Sequence, residues 1–145
     1  MEKINVKLLR PGAQMPTYGS AEAAGADLYA CLTEAVTIQP GQTVLIPTGF
    51  ALEVPKGCAG LIYARSSMGV KRGLAPANKV GVIDSDYRGE IMVALHNHSP
   101  QAQVVEKGER VAQIVITPYV TATFVEGDLD ETERGAGGFG STGTK

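Results

Sequence analysis

Ile91-Met92-Val93-Ala94-Leu95-His96 is the stretch whose period decides the fold. Ile91, Val93 and Leu95 alternate with Met92, Ala94 and His96, and a period of two sends one set of side chains to each face of a strand. Outward from there the pattern recurs in short bursts. Ile4, Val6 and Leu8 alternate with Asn5 and Lys7, and Val36–Ile38, Thr43–Ile46, Gly60–Ala64, Lys79–Ile83, Val111–Thr117 and Thr121–Val125 are further candidate strands. Turn signals separate them: Arg10-Pro11-Gly12, Gln39-Pro40-Gly41, Pro47-Thr48-Gly49, Pro55-Lys56-Gly57, Ser99-Pro100 and Lys107-Gly108. Short strands punctuated about every ten residues imply an all-β sandwich, jelly roll or barrel. One helical turn is predicted, Ser66–Arg72, capped by Ser66 or Ser67 and kept brief by Gly69.

Composition agrees with this reading. Val and Ile together outnumber Leu more than two to one, a bias toward pleated, half-buried positions. Gly (18) and Pro (8) mark much of the chain as turn. A length of 145 residues favours one core. The composition changes after Glu126, first to an acidic run (Asp128, Asp130, Glu131, Glu133) and then to Arg134-Gly135-Ala136-Gly137-Gly138-Phe139-Gly140-Ser141-Thr142-Gly143. Residues 1–126 are therefore expected to form the domain and 127–145 a flexible tail.

The charge balance excludes some partners. Thirteen Lys and Arg against fifteen Asp and Glu leave a formal charge of −2, which argues against a nucleic-acid backbone as ligand. A small anion held by a few local cations remains compatible. The apolar runs are too short to span a bilayer, and the opening MEKINVKLLRPG lacks a secretory pattern. Cys31 and Cys58 fit no metal or redox spacing and read as buried, reduced thiols of a cytoplasmic protein. Without a secretory signal, the sequon Asn97-His98-Ser99 carries no meaning. His96 and His98 lack a metal triad or a nucleophile and read as structural.

Four stretches can carry chemistry. Gly81-Val82-Ile83-Asp84-Ser85-Asp86-Tyr87-Arg88-Gly89-Glu90 reads as a hairpin, plainly a polar turn of solvated aspartates. Its order resembles a calcium loop, but Arg88 stands at a ligand position and removes that option. Asp84, directly after Gly-Val-Ile, can instead present one rigid carboxylate to orient and deprotonate water. Ala64-Arg65-Ser66-Ser67-Met68-Gly69 opens the helical turn and suits an anion, although a pair of serines is often only a cap. Asp27, in Ala24-Gly25-Ala26-Asp27-Leu28, reads by itself as a solvated acid. Gln113 reads as an outward strand residue that would need a partner if turned inward. The tail formally matches a dinucleotide-binding glycine pattern, but no helix can follow it. Its Arg134, Phe139 and glycine amides suit a phosphorylated base instead.

Taken in order, A-G-A-D-L at 24–28, A-R-S-S-M-G at 64–69, G-V-I-D-S-D-Y-R-G at 81–89, G-E-R-V-A-Q at 108–113 and R-G-A-G-G-F-G-S-T-G at 134–143 resemble the five motifs of the trimeric dUTPases. The resemblance implies a distorted β jelly roll, a homotrimer with shared active sites, and magnesium-dependent hydrolysis of dUTP to dUMP and diphosphate. That reaction supplies dUMP for thymidylate and keeps uracil out of DNA. It implies Asp84 as the carboxylate that activates water, and Tyr87 as the ring against the deoxyribose. Asn78, Gly81, Val82, Ile83 and Met92 would hold uracil. Arg65, Ser66 and Ser67 would bind phosphate, Ser67 standing where many relatives have Gly. Asp27 and Gln113 would reach magnesium through its waters. Arg134, Phe139, Gly140 and Ser141 would belong to an arm that closes over a neighbouring subunit's site. Ala26 replaces the commoner Tyr, with a packing effect only. The related dCTP deaminases would need a Glu at the position of Ala94. A nucleotide-sensing trimer without catalysis is the alternative from another class.

Overall fold

The computed structural model describes residues 3–145, so Met1 and Glu2 of the 1–126 domain lie outside the described residues. The strands, in chain order, are β1 Val6–Leu8, β2 Thr17–Tyr18, β3 Ala26–Tyr29, β4 Val36–Ile38, β5 Thr43–Pro47, β6 Phe50–Leu52, β7 Cys58–Tyr63, β8 Leu74–Pro76, β9 Gly81–Ile83, β10 Met92–Asn97, β11 Gln103–Val105 and β12 Arg110–Pro118. Among the described residues one short helix, α1 Ser66–Gly69, follows β7. The protein is therefore all-β with one helical turn. The largest sheet has the order β2-β3-β12-β7-β9, a second has β5-β10-β8, and two further ladders pair β1 with β6 and β4 with β11. Every pairing is antiparallel.

The alternation in β10 is realised: Ile91, Val93 and Leu95 are buried while Met92, Ala94 and His96 face outward. Leu28, Ile38, Ile46, Phe50, Leu74, Val105 and Val111 join them in one core at 0% exposure. Burial of each such side chain is worth about 1.5–3 kcal/mol. Asn97 sits at the end of β10 in this core. Its Nδ2 donates to Ile38 O (2.8 Å) and Gln101 O (2.7 Å), and its Oδ1 accepts from Ser99 N (2.9 Å). The sequon asparagine is thus fully enclosed. His96 Nδ1 and Thr43 Oγ1 share a hydrogen bond of 2.8 Å across the β5–β10 pair, a structural role.

Several expectations are corrected. The strand expected at Thr121–Val125 does not form; β12 ends at Pro118, which has no N–H to extend a ladder. Beyond it Phe124 and Val125 are 95% and 83% exposed, and no strand pairs with them. The expected hairpin Gly81–Glu90 does not join paired arms: β9 pairs with β7, and β10 with β5 and β8, so the loop crosses between sheets. Helix α1 is shorter than Ser66–Arg72, and neither serine caps it. Arg65 takes the N-cap position with no side-chain cap bond. Cys31 and Cys58 are free but only half-buried.

Candidate functional site

The residues singled out from the sequence fall into three groups. The first surrounds the Asp84–Glu90 loop. Val82, Ile83, Asp84, Tyr87, Glu90 and Met92 line a cleft of about 230 Å³, and an adjoining cleft of about 190 Å³ is lined by Asn78, Gly81, Val82, Ile83, Met92 and Ala94, among others. β9 pairs on one side only and forms the edge of its sheet, so its outer backbone N–H and C=O groups have no ladder partner. Asp84 is exposed at the end of β9. The Tyr87 ring lies against Gly89, held there by its hydroxyl, which donates to Glu90 O at 2.9 Å. A Cβ on residue 89 would collide with the Tyr87 ring.

The second group crosses the large sheet. Asp27 lies opposite Gln113, and Gln113 opposite Tyr63. Asp27 is 9% exposed and accepts from Arg65 Nε (2.8 Å) and Arg110 Nη1 (3.2 Å). The solvated acid expected at Asp27 is therefore a nearly enclosed one, held by two guanidinium groups. Such enclosure is tolerable for a carboxylate only with partners of this kind. Gln113 is half-buried, and its Nε2 donates to Ala64 O (2.9 Å), which fastens the start of the Arg65 turn. Ser67 Oγ accepts from Arg65 Nη1 (3.2 Å), so Arg65 links Asp27 to the helix. Ser66 is exposed beside it.

Sequence reasoning missed Arg110, and the reason is a bulge. β12 pairs Arg110 with Tyr29 but Ala112 with Leu28, so one residue of β12 is extra. In a regular strand Arg110 and Gln113, three apart, would face opposite sides. The bulge reverses the parity and puts both on the face of Asp27. Glu90, in the wall of the first cleft, was missed as well.

The third group is the tail. Arg134, Gly140 and Ser141 are exposed and Phe139 is fully so. The hydrogen bonds of this segment run only to its own near neighbours, such as Arg134 Nε to Gly137 O (2.7 Å) and Ser141 N to Gly138 O (3.1 Å). Among the described residues no cluster of three His, Cys, Asp or Glu could hold a metal ion, and no helix is long and apolar enough to cross a membrane.

Register also separates the first two groups. Asp84 follows Ile83, which pairs with Gly60, so it comes level with Ala59 near the start of β7. Arg65 lies just past the other end of β7. At ~3.3 Å per residue the two backbones are about 20 Å apart, and the Arg65 side chain turns to Asp27, not toward Asp84.

The protein is thus an antiparallel β fold with one cleft edged by free backbone groups and carboxylates, and a row of guanidinium groups across its large sheet. The dUTPase family model matches residues 12–143. A deoxyuridine 5'-triphosphate nucleotidohydrolase of Hahella chejuensis is 48% identical, over 99% of this chain and 95% of its own length. One of Desulfitobacterium hafniense is 53% identical, over 90% of this chain and 87% of its own. The solved Staphylococcus bacteriophage 80alpha dUTPase with dUPNHPP superposes with a TM-score of 0.89 at 29% identity, over 99% of this chain and all of that one. The chain belongs to the dUTPase family, and its sheets are the jelly-roll-like β fold of these relatives.

Proposed function

We propose that the chain hydrolyses dUTP to dUMP and diphosphate, with Asp84 activating water for in-line attack on the α-phosphorus, at sites completed by neighbouring copies in a homotrimer. The observation that carries this reading is the separation of Asp84 from Arg65 along β7. A water-activating carboxylate and the cations that meet a phosphate chain must flank one substrate, and one copy holds them about 20 Å apart. Two copies remove the difficulty, one contributing the Asp84 cleft and another the Asp27–Arg65–Gln113 row. A third supplies the 127–145 arm.

The free edge of β9 suits uracil. Backbone C=O and N–H groups at Gly81, Val82 and Ile83, with Asn78 beside them, complement the acceptor–donor–acceptor edge of the base. Cytosine, whose edge presents a donor where uracil has an acceptor, leaves buried polar groups unpaired, which rejects it strongly. Met92 and Val82 close around the 5-position of the base and leave no room for a methyl group. The Tyr87 ring stacks on the sugar where a 2'-hydroxyl would stand. Asp84 takes a proton from the attacking water. Arg65, with Ser66 and Ser67, and Arg134 of the arm meet the charge that develops on the phosphate oxygens. Phe139 covers the base, while Gly140 and Ser141 reach the terminal phosphate.

Magnesium fits these residues as a hydrated ion carried by the triphosphate. Asp27 already accepts from two arginines but retains lone pairs for water, and Gln113 Oε1 is a second acceptor in the same row. Neither residue has neighbours enough to strip the ion of its waters, which magnesium gives up reluctantly. When bound, the ion neutralises phosphate charge.

Ala94 in the wall of the uracil cleft argues against deamination, since that position offers no titratable group. Diphosphate release from dUTP, dCTP, dTTP and UTP, measured in parallel with and without magnesium, tests the proposal. Release from dUTP alone, dependent on magnesium, is expected. Binding of dUTP with release from none would make the chain a nucleotide sensor.

A further inference from the structure

The loop that bears Asp84 and Tyr87 closes on itself. Tyr87 N donates to Asp84 O (3.2 Å), Arg88 Nη1 donates to Ser85 O (2.8 Å), and the Tyr87 hydroxyl donates to Glu90 O. Two side chains tie this closed loop to the body: Arg88 Nε lies 3.7 Å from Glu53 Oε1, an exposed contact, and Glu90 makes the closer and more enclosed one. Arg10 Nη1 and Nη2 donate to its two oxygens at 2.7 and 2.8 Å, a forked pair between residues 80 apart in sequence. Gly49 N donates to Glu90 Oε2 at 3.2 Å. Gly49 is buried at φ +77°, and a Cβ on it would come within 2.8 Å of Ala13 Cβ and of Cys31 Sγ. Only glycine lets that turn bring its N–H up to the carboxylate. The Arg10 guanidinium also holds the Glu90 carboxyl below its ordinary range, so the pair is ionised at neutral pH.

We infer that Arg10 and Glu90 form a positioning pair for Tyr87. The forked bond fixes the Glu90 peptide, whose carbonyl receives the Tyr87 hydroxyl, and so sets the ring angle that excludes a 2'-hydroxyl. A planar guanidinium and carboxylate impose orientation as well as attraction. Ring angle matters more for a ribose, which collides with it, than for a deoxyribose, which does not. The pair is therefore a specificity determinant that acts through the angle of the Tyr87 ring, beside the place of Glu90 in the wall of the same cleft. This inference rests on the reading of Tyr87 as the sugar-facing ring.

The test is kcat and KM for dUTP and UTP in Arg10→Ala, Glu90→Ala, Glu90→Gln, the Arg10→Ala/Glu90→Ala double variant and Tyr87→Ala. Each single alanine variant is expected to lower the dUTP-to-UTP ratio of kcat/KM about fivefold, the scale of a partly exposed charge pair. The double variant should match the single ones, because the two side chains act as one unit. Glu90→Gln keeps the Gly49 bond and should fall between; it replaces Glu90→Ala should that variant melt below the assay temperature. An unchanged ratio in the Arg10 and Glu90 variants, with a collapsed ratio in Tyr87→Ala, would overturn the positioning pair alone. Losses that add in the double variant would overturn it too. An unchanged ratio in Tyr87→Ala would remove the sugar-facing reading, and the inference with it.

Discussion

The loop 84–90 and the arm 134–145 use the same residue types and treat them in opposite ways. Each has an aromatic ring and an arginine, with one glycine in the loop and several in the arm. In the loop, Tyr87 is tied by its hydroxyl and packed on Gly89, and Arg88 donates to Ser85 O and Tyr87 O. In the arm, Phe139 touches nothing of the body and holds a left-handed φ of 53°, while Arg134 reaches no further than Gly137 O. Ordering costs about 1–2 kcal/mol per residue. The loop meets that cost on folding, whereas the arm has no contact with the body to offset it. A preorganised group suits chemistry that needs fixed geometry, and a late-ordering segment suits closure over a bound substrate.

The largest effect should come from the ordered side of this comparison. Asp84→Asn is expected to keep dUTP affinity and lose ~10²–10⁴ of kcat, the range for removing a general base. Equilibrium binding together with diphosphate release checks it, and full turnover would take Asp84 out of its role. The arm should matter somewhat less and without touching the fold. A chain ending at Glu133 keeps every core contact, so its melting temperature should stay within experimental error, while hydrolysis falls ~10²–10³ as charge stabilisers are lost. Equal activity in the shortened chain would make the arm a linker.

How far the sequence foretold these regions depends on whether the deciding contact is local. Alternation in Ile91–His96 and the apolar run Val111–Ile116 placed β10 and β12, because strand burial is written in the local sequence and needs no knowledge of partners. The same rule misled at Thr121–Val125, where the pattern exists but no strand pairs with it. Periodicity reached only an all-β fold; the jelly roll and the site residues came from the order of the five motifs. Asp27 escaped as a buried acid because its partners, Arg65 and Arg110, are 38 and 83 residues away. Arg110 was hidden by a bulge that no local pattern announces, and Arg10 with Glu90 by a separation of 80 residues.

One prediction sharpens the comparison by asking whether the two fixed groups, not only the arm, need another copy. Asp84→Asn and Arg65→Ala should each be nearly inactive alone. If a substrate lies between Asp84 of one copy and Arg65 of another, then mixing the two variants under conditions that let copies exchange creates sites with both side chains intact. Random assortment gives about a quarter of the sites that composition, so activity should recover to about a quarter of the unmodified level. Should both groups belong to one chain's site, every site in the mixture would carry one lesion and nothing would be regained. The β7 register requires recovery, since closing about 20 Å within one copy would mean breaking the β7–β9 ladder that positions Asp84.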